Sequence, residues 1–475
     1  MPHFPDSPDS PASLRGLLEQ SLHHIARYRE SIGERRVGAI VDPAALRAAF
    51  GAALADHGAP AHEVIEQLVA AAEPALVSSV GPRYFGFVTG GALDAATCAD
   101  LLATGWDQNA FNAVMSPAAA MIEESVGDWM KQLFGLPARA SFGLVTGGQG
   151  GNTVALAAAR HHVLAGVGWD VEHDGLVGAP AIAVVASEER HATIDRALRL
   201  LGLGRRCIVE VPAAANGAID IAALARALDR LPAGPAIVCL QAGNVNTGAS
   251  DDLRAACLLA RARDTWTHVD GAFGLWAAAS PATRAQVDGI ELADSWSVDG
   301  HKWLNVPYCS GYLFCAHPGA HQRSMQLRAS YLQGNVDAAP IRNPSDFVPE
   351  SSRRATGFAT WAALRELGRT GVAALVERCC ALARRFATQL AALDGVSIGN
   401  DVVLNQVLVH FGGDALTDQV IAAIERDGTC WMGGTTWRGR RYMRISVSNW
   451  STSEADVDRS VTAIARIAGA LQSHR

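Results

Sequence analysis

Apolar residues fall at helical spacing through residues 14–32 and 43–72, which predicts an N-terminal helical arm. The stripe on such an arm must be buried against something. From 142 to 315 the rhythm changes to short apolar runs separated by helical segments. The runs at 181–186, 207–211, 237–241, 266–269 and 311–315 predict strands of a mostly parallel sheet with helices on both faces, an α/β fold. A long helix at 372–393, strands at 402–410 and 442–447, and helices at 417–426 and 453–471 predict a smaller α+β unit. The expected division is a helical arm over 1–80, a large domain over 81–371 and a small C-terminal domain over 372–475. No internal repeat is present. Residues 318–354, with Gly334, Asn335, Pro340, Asn343, Pro344 and Pro349, have little periodicity and predict a long loop of the kind that forms a lid.

Composition narrows the partners. The 475 residues, 49% of them hydrophobic, exceed one ordinary domain and can bury a large core. A net charge of −7 without a basic cluster argues against nucleic acid and favours small metabolites. Nine cysteines with no CxxC pair point to a reducing compartment, and adjacent Cys379 and Cys380 on a helix read as buried packing. No apolar run of about 18 residues is free of charges or breakers, so no membrane span is expected. The start, with Pro2, Pro5, Asp6, Pro8 and Asp9, lacks the positive and apolar regions of a signal peptide, and the expected location is the cytoplasm.

Four polar features stand out against this apolar background. Lys302 ends the run Asp294, Ser295, Trp296, Ser297, Val298, Asp299, Gly300, His301. A desolvated lysine amine can attack an aldehyde and hold a pyridoxal cofactor as a Schiff base; the alternative is an ordinary surface lysine. Asp270 closes the strand-like run from Thr265 to Val269, ahead of Gly271 and Ala272. A carboxylate there lies on the sheet edge where α/β proteins bind ligands, and it suits a cofactor ring nitrogen that must stay protonated; otherwise it caps the next element. The turn Thr146, Gly147, Gly148, Gln149, Gly150, Gly151, Asn152, Thr153 feeds a helix and exposes N–H groups to an anion, or is merely flexible. It matches neither the Walker A loop nor the dinucleotide fingerprint. His191 follows a strand and is placed either to stack on a cofactor ring or to serve as a hydrogen-bonded structural histidine.

The order of these motifs, from the glycine turn through His191 and Asp270 to His301 and Lys302, resembles the group II pyridoxal-dependent amino acid decarboxylases. That family includes aromatic amino acid and glutamate decarboxylases. The resemblance runs from about Pro82 to the C-terminus, with further matches at 82–86, at 112–118 around Ser116 and Pro117, at 243–251 and at 444–450. It implies a fold type I (aspartate aminotransferase-like) architecture and pyridoxal 5'-phosphate as cofactor. Lys302 would form the Schiff base and His301 would contact the phosphate together with Gly147, Gly148 and Gln149. His191 and Ala272 would cover the two ring faces, Asp270 would meet the ring nitrogen, and Asn246 would lie near the ring hydroxyl. Asp299 often appears as asparagine in relatives; a carboxylate beside phosphate is unfavourable, and no role is assigned to it. The resemblance also implies a homodimer with active sites at the subunit interface and the arm packed on the second subunit.

The activity implied is decarboxylation of an L-amino acid to the amine and CO2. The proton donor of the family's mobile loop is usually a tyrosine. Tyr331 matches a tyrosine at the start of that loop, and Phe347 falls close to the catalytic position. If Phe347 replaces that tyrosine, the expected outcome is oxidative conversion to an aldehyde; otherwise Phe347 is a packing residue. An aminotransferase is the other alternative, since Lys302 and Asp270 alone do not distinguish reactions that share this cofactor. Tyr84, Phe85, Trp106 and Phe111 are candidates to line an apolar substrate pocket, with Gly433, Gly434 and Thr435 making room for a bulky group. Arg444 reads either as a carboxylate binder or as one half of a structural ion pair.

Overall fold

The computed structural model describes residues 13–51, 53–327 and 341–473. The arm consists of α1 (Leu14–Ser31), α2 (Pro43–Phe50) and α3 (Ala61–Ala72). The helical stretch expected over 43–72 is broken, because α2 stops at Gly51 and α3 starts only after Pro60. No residue of these three helices is buried. Leu14, Leu18 and Leu22, four residues apart on α1, remain 72%, 51% and 49% exposed. Two helices that the apolar pattern did not single out follow, α4 (Asp94–Trp106) and α5 (Pro117–Phe134). Ser116 caps α5, its hydroxyl accepting from Ala119 N–H.

The large sheet contains β1 (Ser141–Val145), β2 (Ala183–Ser187), β3 (Ile208–Val211), β4 (Ala236–Gln241), β5 (Trp266–Asp270), β6 (Ser295–Asp299) and β7 (Gly311–Cys315). Their order is β1-β7-β6-β5-β4-β2-β3. Strands β2 to β6 pair in parallel, while β7 runs antiparallel between β1 and β6. The crossovers carry α6 (Gly148–Ala165), α7 (Val171–Asp174), α8 (Ala192–Leu200), α9 (Ile221–Arg230) and α10 (Leu253–Arg261). Asp220 and Asp252 start the last two by accepting from Ala223 and Ala255 N–H.

Strand β6 hides in the sequence as a polar run. Trp296 and Val298 fill one face, while Ser295, Ser297 and Asp299 turn to the other, and all five are buried. Small polar side chains there let α6 approach closely: a Cβ on Gly151 would lie 3.0 Å from Ser297 Cβ. The expected strand rule of continuous apolar character fails because this face borders a buried polar network rather than a hydrophobic layer.

After β7 come α11 (Pro318–Met325), α12 (Gly357–Ala391), α13 (Asp414–Asp427) and α14 (Glu454–Ser473). The loop expected over 318–354 is thus helical at its start. Helix α12 begins fifteen residues earlier than the sequence suggests, is interrupted at Gly368 (φ 59°), and packs on α4 and α5. The second sheet, in order β10-β11-β9-β8, joins β8 (Ser397–Ile398), β9 (Gln406–His410), β10 (Gly433–Trp437) and β11 (Arg440–Ser446). One continuous apolar cluster runs from Phe85 to Ala468 and links both sheets. Among the described residues no helix is long and apolar enough to cross a membrane.

Candidate active site

The polar features singled out in the sequence meet at the carboxyl edge of the large sheet, where parallel α/β sheets open a crevice. Gly147 follows β1, His191 follows β2, and Asp270 is the last residue of β5. Lys302 stands on a single π turn, Gly300–Leu304, directly after β6. His191, Asp270, Ala272 and Lys302 line one cavity of about 260 Å³, together with Phe87, Val88, Gln241, Gly243, Val245, Phe273 and Arg444.

Asp270 is 4% exposed, and its charge is supported by neutral donors. Asn152 Nδ2 donates to Oδ2 at 2.9 Å, Thr193 Oγ1 lies 3.4 Å from the same oxygen, and Ala272 N–H donates to Oδ1 at 3.2 Å. Asn152 is itself fixed: its Oδ1 accepts from Ser297 Oγ at 2.5 Å and from His268 Nε2 at 2.9 Å. Burial lowers the proton affinity of His268. A carboxylate so held keeps its direction, which is what a protonated ring nitrogen needs opposite it. Asn152 and His268 were missed in the sequence. The signal lay in spacing, since His268 is two residues before Asp270 on the same face of β5.

His191 caps α8, its Nδ1 accepting from Thr193 N–H at 3.3 Å. The ring is open to solvent through the cavity mouth yet surrounded by protein atoms. That enclosure lowers its proton affinity, reinforced by Lys302 and Arg444 and opposed by Asp270. A neutral imidazole at neutral pH can lie flat over an aromatic ring without charge repulsion.

Lys302 is not surrounded by apolar groups alone. Its Nζ pairs with Asp299 Oδ2 at 3.0 Å, and Asp299 Oδ1 accepts from Gly148 N–H, in the first turn of α6, at 2.5 Å. Asp299, to which the sequence reading assigns no role, therefore has partners at the site. His301 is held by Ser310 N–H at Nδ1 (3.2 Å) and stacks on Tyr308, with its proton affinity lowered by burial. The glycine turn leaves a narrow cradle: a Cβ on Gly147 would lie 3.1 Å from His301 Cε1, and one on Gly148 3.0 Å from Asp299 Oδ2. Gln149 donates its side-chain amide to Thr153 Oγ1 and to the Thr193 carbonyl, while its buried Oε1 has no partner among the described residues. A second glycine fixes the lysine turn from above. Gly90 N–H donates to the His301 carbonyl, and a Cβ on Gly90 would overlap the Lys302 carbonyl oxygen.

None of the residues expected to form the substrate pocket lines this cavity of the chain. Tyr84 stacks on Trp431 at 5.0 Å, and Phe85 is buried edge-on to Phe386. Trp106 lies on α4 against Phe358, half exposed, and Phe111 does not line the cavity of its own chain. Gly433 and Gly434 face Trp431 and Arg441, and Thr435 donates to Asn246 Oδ1, which holds Asn246 outside the cavity. The side walls come instead from Phe87, Val88, Val245 and Phe273. Phe87 and Val88 have φ of 53° and 57°, a left-handed bend that brings them over the cavity. Arg444, on β11, has no carboxylate partner among the described residues; its Nη1 donates to the Val245 carbonyl at 3.2 Å. Burial lowers its proton affinity.

Phe347 does not reach the cavity. Its ring is buried beneath the Arg342 guanidinium, which is sandwiched at 3.8 Å from Phe347 and 3.9 Å from Phe142. Its carbonyl accepts from His321 Nε2 at 2.9 Å. This position is that of a packing residue. Tyr331 lies outside the described residues.

The available chemistry is an amine able to bond an aldehyde, a rigid buried carboxylate facing it across the cavity, a neutral imidazole, and a glycine-opened helix terminus that takes an anion. These parts fit pyridoxal phosphate on an α/β scaffold of fold type I, and comparison with known proteins decides the kind of enzyme. The chain matches the pyridoxal-dependent decarboxylase conserved domain over residues 43–411 and belongs to that family. It is 27% identical over 467 residues to tryptophan decarboxylase 1 of Oryza sativa subsp. japonica, covering 92% of this chain and 90% of the relative. It is 25% identical over 484 residues to 4-hydroxyphenylacetaldehyde synthase of Rhodiola rosea, covering 96% of each. The fold matches the crystal structure of Oryza sativa TDC with PLP and tryptamine with a TM-score of 0.90, at 24% identity and over 98% of this chain and 99% of that one. The protein is a pyridoxal-phosphate-dependent amino acid decarboxylase, as the motif order implied.

Proposed function

We propose that this decarboxylase acts on an L-amino acid with an apolar side chain of aromatic size, releasing CO2 and the amine. The observation that carries the reading is Arg444: a guanidinium enclosed in the cavity beside Lys302 and Asp270, with a single carbonyl as its partner among the described residues. A buried cation without a counter-charge is costly, and a substrate carboxylate removes that cost. When bound, pyridoxal phosphate supplies an electron sink for the pair released as the Cα to carboxyl bond breaks.

The chain's own residues do the rest. Lys302 anchors the cofactor through its amine. Asp270, unable to turn away from Asn152 and the Ala272 N–H, holds a proton on the ring nitrogen. His191 would cover one ring face and Ala272 the other. Arg444 grips the substrate carboxylate and fixes the direction of the bond to be broken, so orientation selects carboxylate loss over proton loss. Phe87, Val88, Val245 and Phe273 exclude water and receive the side chain.

A homodimer is part of the proposal. Its support is the exposed leucine stripe of α1 and the absence of buried residues in α1 to α3. Light scattering on the eluting protein should give twice the chain mass, and Leu18→Glu should shift it toward the monomer. A cytoplasmic setting is supported by nine cysteines that are all free thiols.

The test of function is to incubate holoenzyme with each common amino acid while recording CO2, amine, oxygen and aldehyde together. Equal yields of CO2 and amine from aromatic or large aliphatic substrates are expected, with kcat/KM for Arg444→Ala lower by about 100-fold. Oxygen uptake with aldehyde would favour the synthase reading, and a keto acid without CO2 would overturn decarboxylation.

A further inference from the structure

We infer that Asp299 is an internal anion occupying the phosphate end of the cofactor site, so that cofactor loading must displace it and is weakened by its charge. The inference rests on the reading of this site as one for pyridoxal phosphate. Asp299 ends β6, its side chain is 4% exposed, and three groups converge on it. Gly148 N–H donates to Oδ1 at 2.5 Å, Lys302 Nζ lies 3.0 Å from Oδ2, and His301 Nε2 lies 3.6 Å from Oδ1. These are the kinds of group a phosphate recruits: an N–H in the first turn of a long helix, a cation and an imidazole.

The geometry leaves little room for both anions to use them. Gly147 and Gly148 have no side chains, and the space beside them is already bounded by His301 and by the Asp299 carboxylate. The carboxylate thus satisfies the helix terminus and holds the Lys302 amine. Two consequences follow for loading. The lysine leaves an ion pair and gives up a proton before its amine can add to the aldehyde carbon, whose oxygen departs as water, and the phosphate arrives next to a buried like charge, which low surrounding polarity makes more repulsive than in water. The neutral isostere Asp299→Asn keeps an oxygen able to accept from Gly148 N–H while removing the charge.

The experiment is a titration of cofactor-free protein, wild type and Asp299→Asn, with pyridoxal phosphate and separately with pyridoxal, followed by cofactor absorbance and protein fluorescence. Both ligands bond the same lysine, so the ratio of their dissociation constants isolates the phosphate end. The expected result is a pyridoxal phosphate constant at least about tenfold lower in Asp299→Asn, with a much smaller change for pyridoxal. An unchanged or weaker pyridoxal phosphate constant in a folded variant overturns the inference. Failure of wild type and variant to bind either ligand sinks the cofactor reading and this inference with it. A measurement on wild type alone guards against a misfolded variant: inorganic phosphate at a few millimolar, too dilute to stabilise the fold by general exclusion from its surface, should leave the melting temperature of the cofactor-free protein unchanged relative to chloride. Clear stabilisation by phosphate would show the anion position to be open and would refute the idea.

Discussion

Asp270 and Asp299 end neighbouring parallel strands, and both are almost fully buried, yet they are supported in opposite ways. Asp270 is held by an amide, a hydroxyl and a backbone N–H, all neutral, so its charge remains available to whatever enters the cavity. Asp299 is held by a lysine amine and a helix terminus, so its charge is cancelled within the chain. Burial alone therefore says little about the use of a carboxylate. The sign of its partners decides whether it addresses a ligand or the protein itself.

The comparison can be broken most forcefully at Lys302, which faces the cavity that Asp270 lines while pairing with Asp299. Lys302→Ala should reduce kcat by ~10³-fold or more and abolish retention of the cofactor through gel filtration. Next comes the available charge. Asp270→Asn should lower kcat on the order of 10²–10³-fold while the protein still binds cofactor, as read from absorbance. Asn152→Ala sharpens the contrast by removing the neutral support and stranding His268 and Ser297; urea unfolding should show a loss of about 1–3 kcal/mol. A buried ionisable group with only neutral hydrogen-bond partners gives the control. His321 contacts the Ser141 hydroxyl and the Phe347 carbonyl, and burial lowers its pKa to about 3. Its folded-state affinity is depressed, so its stabilising contribution is present above about pH 6.5 and fades as the pH falls and the unfolded chain takes up the proton. Between pH 7 and pH 5 this should cost about 2 kcal/mol in urea unfolding, and His321→Asn should flatten that dependence.

The cofactor side of the site was legible because its residues follow strand ends, where one local motif fixes type and place. Lys302, Asp270 and His191 needed no knowledge of distant contacts. The substrate side was opaque for the opposite reason. Phe87 and Val88 reach the cavity through a left-handed bend that bulky residues do not advertise, so neighbouring Tyr84 and Phe85 looked equally good. Arg444 is informative through the carboxylate partner it lacks among the described residues, and that depends on how β11 is placed against Val245. Strand β6 was hidden because its inward face carries serines and an aspartate where a buried strand ordinarily shows aliphatic residues.

The contact between Gly90 and the Lys302 carbonyl ties the bend that presents Phe87 and Val88 to the turn that presents the amine. Wall and anchor thus share one hinge-free joint. Specificity engineering at Phe87 or Val88 can proceed by swapping side chains, but any change that shifts the main chain at Gly90 will move the reactive nitrogen as well.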